Sequence, residues 1–149
     1  MARRYSLVAS VTNTASVTQV VLTSTAAIRP QIYDLLIGSA AAPADNAANY
    51  QIKRFTAAGT TTSLTPQAID NADPAATATS GYNASVEPTY TANALLLSIS
   101  CNQRTTARWL ARDRSELIAP ATAANGLGLF SATVGGSAVA QTYTILYEE

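Results

Sequence analysis

The sequence predicts an all-β fold, a jelly-roll-like antiparallel sandwich with one long irregular excursion. Apolar and polar residues alternate with a period of two along most of the 149-residue chain, which is the pattern of half-buried strands. About nine or ten short strands with little helix are typical of a single sandwich or jelly-roll domain. We therefore treat residues 1–149 as one domain, with a short N-terminal arm at about 1–4 and the excursion at about 66–90.

The alternation predicts four strands in the N-terminal half, at residues 5–11, 17–22, 28–37 and 50–56. The third carries Pro30 near its start, where a missing N–H is tolerated at an edge or first position. Residues 39–49 form a loop with room for one helical turn. After the turn at Gly59, residues 61–65 are expected to pair back on the fourth strand.

The excursion begins where the alternation stops. Thr65, Pro66 and Gln67 read as a helix N-cap followed by proline at the first helical position, and residues 71–77 could form a second short helical turn. A long segment without a strand is uncommon inside a compact domain and is often an interaction loop. We expect this segment to project from the sheet and to carry contacts.

Strands return after the excursion, at residues 94–101, 105–111, 116–119, 127–134 and 138–147. Gly135-Gly136 predicts a hairpin between the last two strands, because glycine adopts the positive φ that a primed turn requires. The final strand is long and two-sided, with Tyr143, Ile145 and Tyr147 on one face and Thr142, Thr144 and Leu146 on the other. Since such a strand needs cover on both sides, we place it centrally or at a subunit contact.

The charge balance excludes several function classes. Nine Lys+Arg against nine Asp+Glu give no net charge, so the chain has no basic field for a nucleic acid. No apolar run approaches the roughly 20 residues that span a bilayer, and MARR followed by alternation is not a signal peptide. We expect synthesis in the cytoplasm and no nucleic-acid or membrane partner.

The chemistry of the side chains does not indicate an enzyme. There is no histidine and one cysteine, which removes the usual metal-ligand sets and histidine-based triads. Asp70, Asn71 and Asp73 are expected to be turn residues, and Cys101 a buried small apolar residue. The sequence predicts no catalytic site, metal or cofactor. The charged fraction is only 12%, about half of the usual value, which favours association with other protein surfaces.

A cluster of arginines surrounds the only tryptophan. Arg108, Arg112 and Arg114 lie close to Trp109, and on a strand Arg108 and Arg112 would share the face opposite the indole. A basic stripe binds single-stranded nucleic acid when an aromatic ring lies beside it and stacks on the bases, but here the indole would point away from the arginines. Arginine is also enriched in protein interfaces. We therefore interpret the cluster as a protein interface or a solvated face.

The cationic arm offers a second candidate contact. Arg3 and Arg4 are the only charges before Arg29, and terminal residues are usually disordered unless they are tied down. Two readings stay equally open: the arm reaches a neighbouring subunit or the surface of a partner protein, or it is a frayed solvated tail.

Several runs of the sequence resemble small capsid decoration, or cement, proteins encoded in the head-gene region of tailed bacteriophages. The resemblance covers about residues 33–129 and the acidic end at Glu149. Its runs are PADNAANY from Pro43, TAAGTTTSLTPQAID from Thr56, EPTYTANALLL from Glu87, NQRTTARW from Asn102 and IAPATAANGLGL from Ile118.

The resemblance implies a structural virion protein. Such a protein is a jelly-roll-like homotrimer that sits on the outside of an icosahedral capsid and stabilises contacts between major capsid proteins. It carries over no particular binding residues. The alternative is a β-sandwich module of a phage tail or fibre that binds a host glycan or receptor. That module needs a concave site with exposed aromatic residues, for which Tyr82 and Tyr90 are the candidates and Trp109 would have to be exposed.

Overall fold

The computed structural model describes residues 2–136 and 138–149, a part of the chain that contains twelve β-strands and no helix. In chain order the strands are β1 (Arg4–Thr12), β2 (Val17–Thr23), β3 (Gln31–Ser39), β4 (Ala47–Ala57), β5 (Thr60–Ser63), β6 (Gln67–Ala68), β7 (Thr79–Val86), β8 (Thr89–Asn102), β9 (Ala107–Leu110), β10 (Leu117–Ile118), β11 (Gly126–Val134) and β12 (Ala140–Glu148).

The strands form two antiparallel sheets. Sheet A has the order β6-β1-β12-β3, and both β9 and β10 pair along the remaining side of β3. Sheet B has the order β5-β7-β2-β11-β4-β8. The chain crosses from one sheet to the other after β1, β2, β3, β5, β6, β8, β10 and β11. This interleaving makes the sandwich a jelly roll, as the sequence predicts.

The core lies between the inner faces of the two sheets. Strand β1 shows the alternation most clearly, because Tyr5 and Leu7 are buried while Arg4 and Val8 are exposed. Large side chains from both sheets are at most 2% exposed, among them Tyr5, Leu7, Leu35, Ile37, Tyr143, Ile145 and Tyr147 from sheet A and Val20, Leu22, Tyr50, Ile52, Leu127 and Leu129 from sheet B. Burying a leucine or isoleucine side chain stabilises a fold by about 1.5–3 kcal/mol.

The final strand has the central position expected for it. Strand β12 pairs with β1 on one side and with β3 on the other. Tyr143 and Tyr147 point into the core, where Tyr147 stacks on Tyr5 with ring centroids 5.4 Å apart. Because this strand has a neighbour on each edge, its apolar residues do not form an open edge.

The predicted hairpin at Gly135-Gly136 is wrong. Strand β11 belongs to sheet B and β12 to sheet A, so the two strands do not pair. The glycines instead let the chain pass close to the start of β4. Gly136 has a φ of 65°, and a Cβ atom there would lie 2.2 Å from Asn46 Nδ2. The backbone N–H of Gly135 donates to the carbonyl of Ala47 at 2.8 Å.

The excursion is shorter than predicted and contains no helix. Residues 66–90 include β6, β7 and the start of β8. Strand β6 pairs with β1, and the N–H of Ile69 continues this pairing by donating to the carbonyl of Arg4. The proline before β6 therefore marks an edge strand, not a helix start. The alanine-rich residues after β6 lack the regularly spaced large apolar side chains that a helix would bury. Residues 69–78 therefore form an irregular connection.

Two further local predictions are corrected. Residues 39–49 contain no helical turn, since β4 already begins at Ala47. Strand β5 pairs with β7 rather than back on β4. Strand β7 was hidden in the sequence because Gly81, Ser80 and Ala84 have low strand propensity. It is nevertheless held between two strands, β2 and β5.

Candidate interaction surfaces

The outer face of sheet A carries several exposed apolar residues. Among the described residues, five large apolar side chains are at least half exposed. Three of them lie on this face: Val8 on β1 (55%), Leu110 on β9 (57%) and Ile69 directly after β6 (55%). Register places partly exposed Leu36 and Leu146 between them. We call this surface the A face.

The charges on the A face neutralise one another. Arg4 Nε lies 3.7 Å from Glu148 Oε2, and its guanidinium carbon lies 5.3 Å from the centroid of the Tyr33 ring. Arg108 pairs with Asp34. The remaining outward positions on β1 and β12 are mostly serine and threonine, among them Ser6, Ser10, Thr142 and Thr144. The A face therefore has no net charge.

Arg108 holds β9 against β3. Its Nε donates to Asp34 Oδ1 at 3.0 Å and its Nη2 to Asp34 Oδ2 at 2.6 Å, the bidentate geometry that suits a guanidinium and a carboxylate. The Asp34 side chain is only 2% exposed, so it depends on this partner. Hydrogen bonding to Asp34 and its negative charge raise the pKa of Arg108. Trp109, the next residue, points inward and packs against the core.

Arg112 and Arg114 do not join Arg108 on one face. Strand β9 ends at Leu110, and both arginines are exposed in the turn that follows. Arg114 has a φ of 61°, and the carbonyl of Arg112 accepts a hydrogen bond from the N–H of Ser115. Within residues 2–136 and 138–149, neither arginine has an acidic partner within ion-pair distance. The predicted cluster is therefore divided between one structural pair and two solvated charges.

The N-terminal arm is largely part of the sheet. Arg4 is the first residue of β1, and the backbone of Arg3 exchanges two 3.0 Å hydrogen bonds with Glu149. Arg3 Nε also lies 4.0 Å from Asp73 Oδ1. Met1 lies outside the described residues. The expected free arm of residues 1–4 is thus too long, and both arginines have acidic neighbours in their own chain.

A cleft of about 610 Å³ opens beside these arginines. It contains charges of both signs and one exposed apolar side chain. Its lining residues are Ala2, Arg3, Arg4, Ile69, Asp70, Asp73 and Glu148. The acidic residues serve the local structure, because Asp70 Oδ1 accepts the N–H of Ala72 in a turn. The cleft forms the corner of the A face next to β6.

The two candidate tyrosines are not exposed. Tyr82 on β7 pairs with Val20 and packs against the main core. Tyr90 lies across the outer side of sheet B, where its hydroxyl is 2.7 Å from Thr18 Oγ1 and its ring meets Phe130 edge-on at 5.7 Å. Burial raises the pKa of Tyr90 above its usual value. Neither ring offers the open stacking surface that a glycan requires.

Tyr90 belongs to residues 87–90, which cover the outer side of sheet B and which we call the ribbon. The turn after β7 brings Glu87 to β2, where its carboxylate accepts the backbone N–H of Thr18 at 2.9 Å. Lys53 Nζ lies 3.8 Å from the centroid of the Phe130 ring. Burial lowers the pKa of Lys53, while the charge of Glu87 acts in the opposite direction. This small second core holds the start of β8 in place.

Metal and membrane features give no further candidate. In the described part of the chain, no three His, Cys, Asp or Glu side chains come together as a metal site. The same part contains no helix that could cross a membrane. Cys101 packs against the core but is only partly buried, and this burial raises the pKa of its thiol.

Sequence reasoning missed the residues that define the A face. Two of them are single apolar residues at outward, otherwise polar positions of their strands, Val8 on β1 and Leu110 on β9. The third, Ile69, lies directly after β6. The signal was present only for Val8, which interrupts the serine positions of β1. Comparisons with protein-family models, curated proteins and solved structures found no match to this chain. Its function must therefore be argued from the geometry and from the resemblance noted in the sequence.

Proposed function

We propose that the chain is a capsid decoration protein of a tailed bacteriophage. It is made in the host cytoplasm and binds the outer surface of an icosahedral capsid as a homo-oligomer. Its partner is the major capsid protein, and its role is to stabilise contacts between neighbouring copies. The role is structural, without catalysis or a cofactor.

The observation that carries this proposal is the A face. Its three central strands, β1, β12 and β3, have nine residues each, which gives them a length of about 30 Å at a spacing of about 4.8 Å, and the short strands β6, β9 and β10 extend this surface on both sides. Val8 and Leu110 are more than half exposed on it, and its charges are already paired. Such a surface is suited to docking on another protein rather than to binding a polyanion or an ion.

Multivalency explains how a contact of this size can hold a capsid. One neutral interface of ordinary area gives limited affinity, since area alone does not set binding strength. Linked copies raise the effective concentration at neighbouring lattice sites, so a homo-oligomer dissociates far more slowly than one chain. The proposal therefore requires self-association as well as the A face.

Sedimentation with capsids tests the proposal. The probe is expanded, DNA-free shells of the major capsid protein encoded in the same genome, mixed with the purified chain. We expect saturable co-sedimentation, weakened at least tenfold by Leu110→Asp. Val86→Asp is the matched control, because Val86 is 58% exposed but lies on β7, away from the A face. Absence of wild-type binding, or equal loss in both variants, would contradict the proposal.

A further inference from the structure

Strand β8 is an open sheet edge of unusual length. It spans 14 residues at the end of sheet B and pairs only with β4. Among the described residues, no backbone hydrogen bond links residues 95–101 to a strand other than β4. Its outward N–H and C=O groups are therefore available to a further strand.

The other sheet edges are blunted, and β8 is not. Strands β5 and β9 have four residues each, and β6 and β10 have two. Natural proteins protect edges by short length, charge, proline or bulges. From Thr89 to Asn102 there is no charged residue and no proline. The register irregularities of β8 lie between Thr89 and Leu97, and the pairing from Leu97 to Asn102 is regular.

The inward side of β8 is also incomplete. Leu97, Ile99 and Cys101 pack against the core but stay partly exposed, because no strand lies beyond them. A neighbouring strand with apolar residues at alternate positions would cover these side chains and extend the core across the contact.

We infer that β8 pairs antiparallel with β8 of a second copy of this chain, across a two-fold axis. A strand that pairs with itself is self-complementary in length, in its lack of charge and in its apolar side. The only other open edge of sheet B, β5, offers four residues against fourteen. The contact would join two six-stranded sheets into one continuous sheet.

Edge charges test the contact with purified protein alone. Light scattering after gel filtration should give an even number of 15.5 kDa chains. The variant Leu95→Lys/Ser98→Lys should weaken self-association at least tenfold, since like charges would face each other across the axis. The control Thr60→Lys/Thr62→Lys places the same charges on β5, and its association should match the wild type.

Two results would overturn this inference. One is a wild-type monomer at micromolar concentration, which would show that β8 does not pair with a second copy of the chain. The other is an oligomer, such as a homotrimer, that the β8 charges do not affect. The second result would leave the capsid role intact, because sedimentation with shells is measured separately. Circular dichroism checks that each variant keeps its strands.

Disulfide formation gives a second readout that does not rely on destabilising the contact. Directly opposed residues in an antiparallel pair have Cα atoms about 4.5–5.5 Å apart, within the range that a disulfide bridges. In a Cys101→Ser background, single cysteines at Leu96, Ser98 and Ser100 should give covalent dimers most efficiently at the position nearest the axis. Cysteine at Thr62 should not cross-link. Equal, slow cross-linking at all four positions would contradict the two-fold pairing.

Discussion

Buried tyrosine side chains dominate the core and determine how the fold responds to high pH. Tyr5, Tyr50, Tyr143 and Tyr147 are at most 1% exposed. Burial is the largest cause of their raised pKa values, and it raises the pKa of Tyr50 to about 12. The Tyr50 hydroxyl accepts a 2.8 Å hydrogen bond from Asn13 Nδ2. The folded state therefore favours the neutral phenols.

The protein should lose stability in alkali before its tyrosines ionise in the folded state. A raised folded-state pKa contributes stability that is full below pH 10 and is lost as pH rises toward the folded value. With a shift from 10.0 to about 12, Tyr50 alone lowers the free energy of unfolding by roughly 1.4 kcal/mol at pH 11. Urea unfolding at pH 8, 10 and 11 measures this, and Tyr50→Phe should reduce the slope. Constant stability over this range would contradict the account.

Arg108 should matter for stability more than the arginines beside it in sequence. Arg108→Ala leaves the Asp34 carboxylate buried without its bidentate partner, and an uncompensated buried charge is strongly unfavourable. Thermal unfolding should show a clear decrease for Arg108→Ala and almost none for Arg112→Ala, whose side chain is exposed. The double variant Arg108→Ala/Asp34→Asn should recover part of the loss. Equal melting temperatures for the two single variants would argue against a structural role for this pair.

At the scale of elements, the sequence predicts strands with a strong period of two and misses those made of small residues. Strands β1 and β12 were predictable because large apolar residues alternate with serine and threonine. Strand β7 was not, since its tertiary pairing outweighs the weak propensity of Gly81 and its neighbours. The glycines at 135–136 predict a turn but not its partner. Close approach to Asn46 explains them better than a hairpin does.

The candidate contacts were less predictable than the strands. Sequence spacing placed Arg108 opposite Trp109, which the structure confirms, but the carboxylate of Asp34 lies 74 residues away along the chain. Tyr82 and Tyr90 were candidates for stacking because they flank the excursion. Which face of a strand is covered depends on long-range packing, and alternation alone does not give it.

The ribbon over sheet B should depend on the absence of a side chain at Gly128. A Cβ atom there would lie 2.4 Å from the Tyr90 hydroxyl and 3.1 Å from its ring carbons. Gly128→Ala should destabilise the fold by about 1–3 kcal/mol through overpacking, because a rigid ring must move and its bond to Thr18 is lost. In a Tyr90→Ala background the same change should be much less unfavourable. A double-mutant cycle in urea measures this coupling, and additive effects would show that the ribbon does not rest on Gly128.

At the scale of the whole molecule, the salt dependence of capsid binding distinguishes two modes of attachment. If the A face docks on the capsid, binding should change little as salt rises, because no net charge crosses the contact. If the arginines at the N-terminus dominate, affinity should fall with salt and with Arg3→Ala/Arg4→Ala. Their pairing with Asp73 and Glu148 favours the first outcome. Binding isotherms between low and high salt decide between them, and a steep loss of affinity would contradict docking through the A face.

The excursion contributes less independent surface than its length suggests. Glu149 accepts hydrogen bonds from the backbone of Thr77 and Ala78, and the Tyr5 hydroxyl donates to the carbonyl of Pro74. A linker that replaced residues 72–83 would remove five of the eight residues of β7. A deletion that tests contacts must therefore stay within the irregular residues between β6 and β7.

Cryo-electron microscopy of decorated and bare shells tests the central claim most directly. The account predicts added density on the outer surface of the shell, of the size of this jelly roll, with the A face and its Leu110 against the major capsid protein. Leu110→Asp should remove that density under the same conditions. Shells that look identical with and without the protein, or bound protein whose A face points to solvent, would contradict the account.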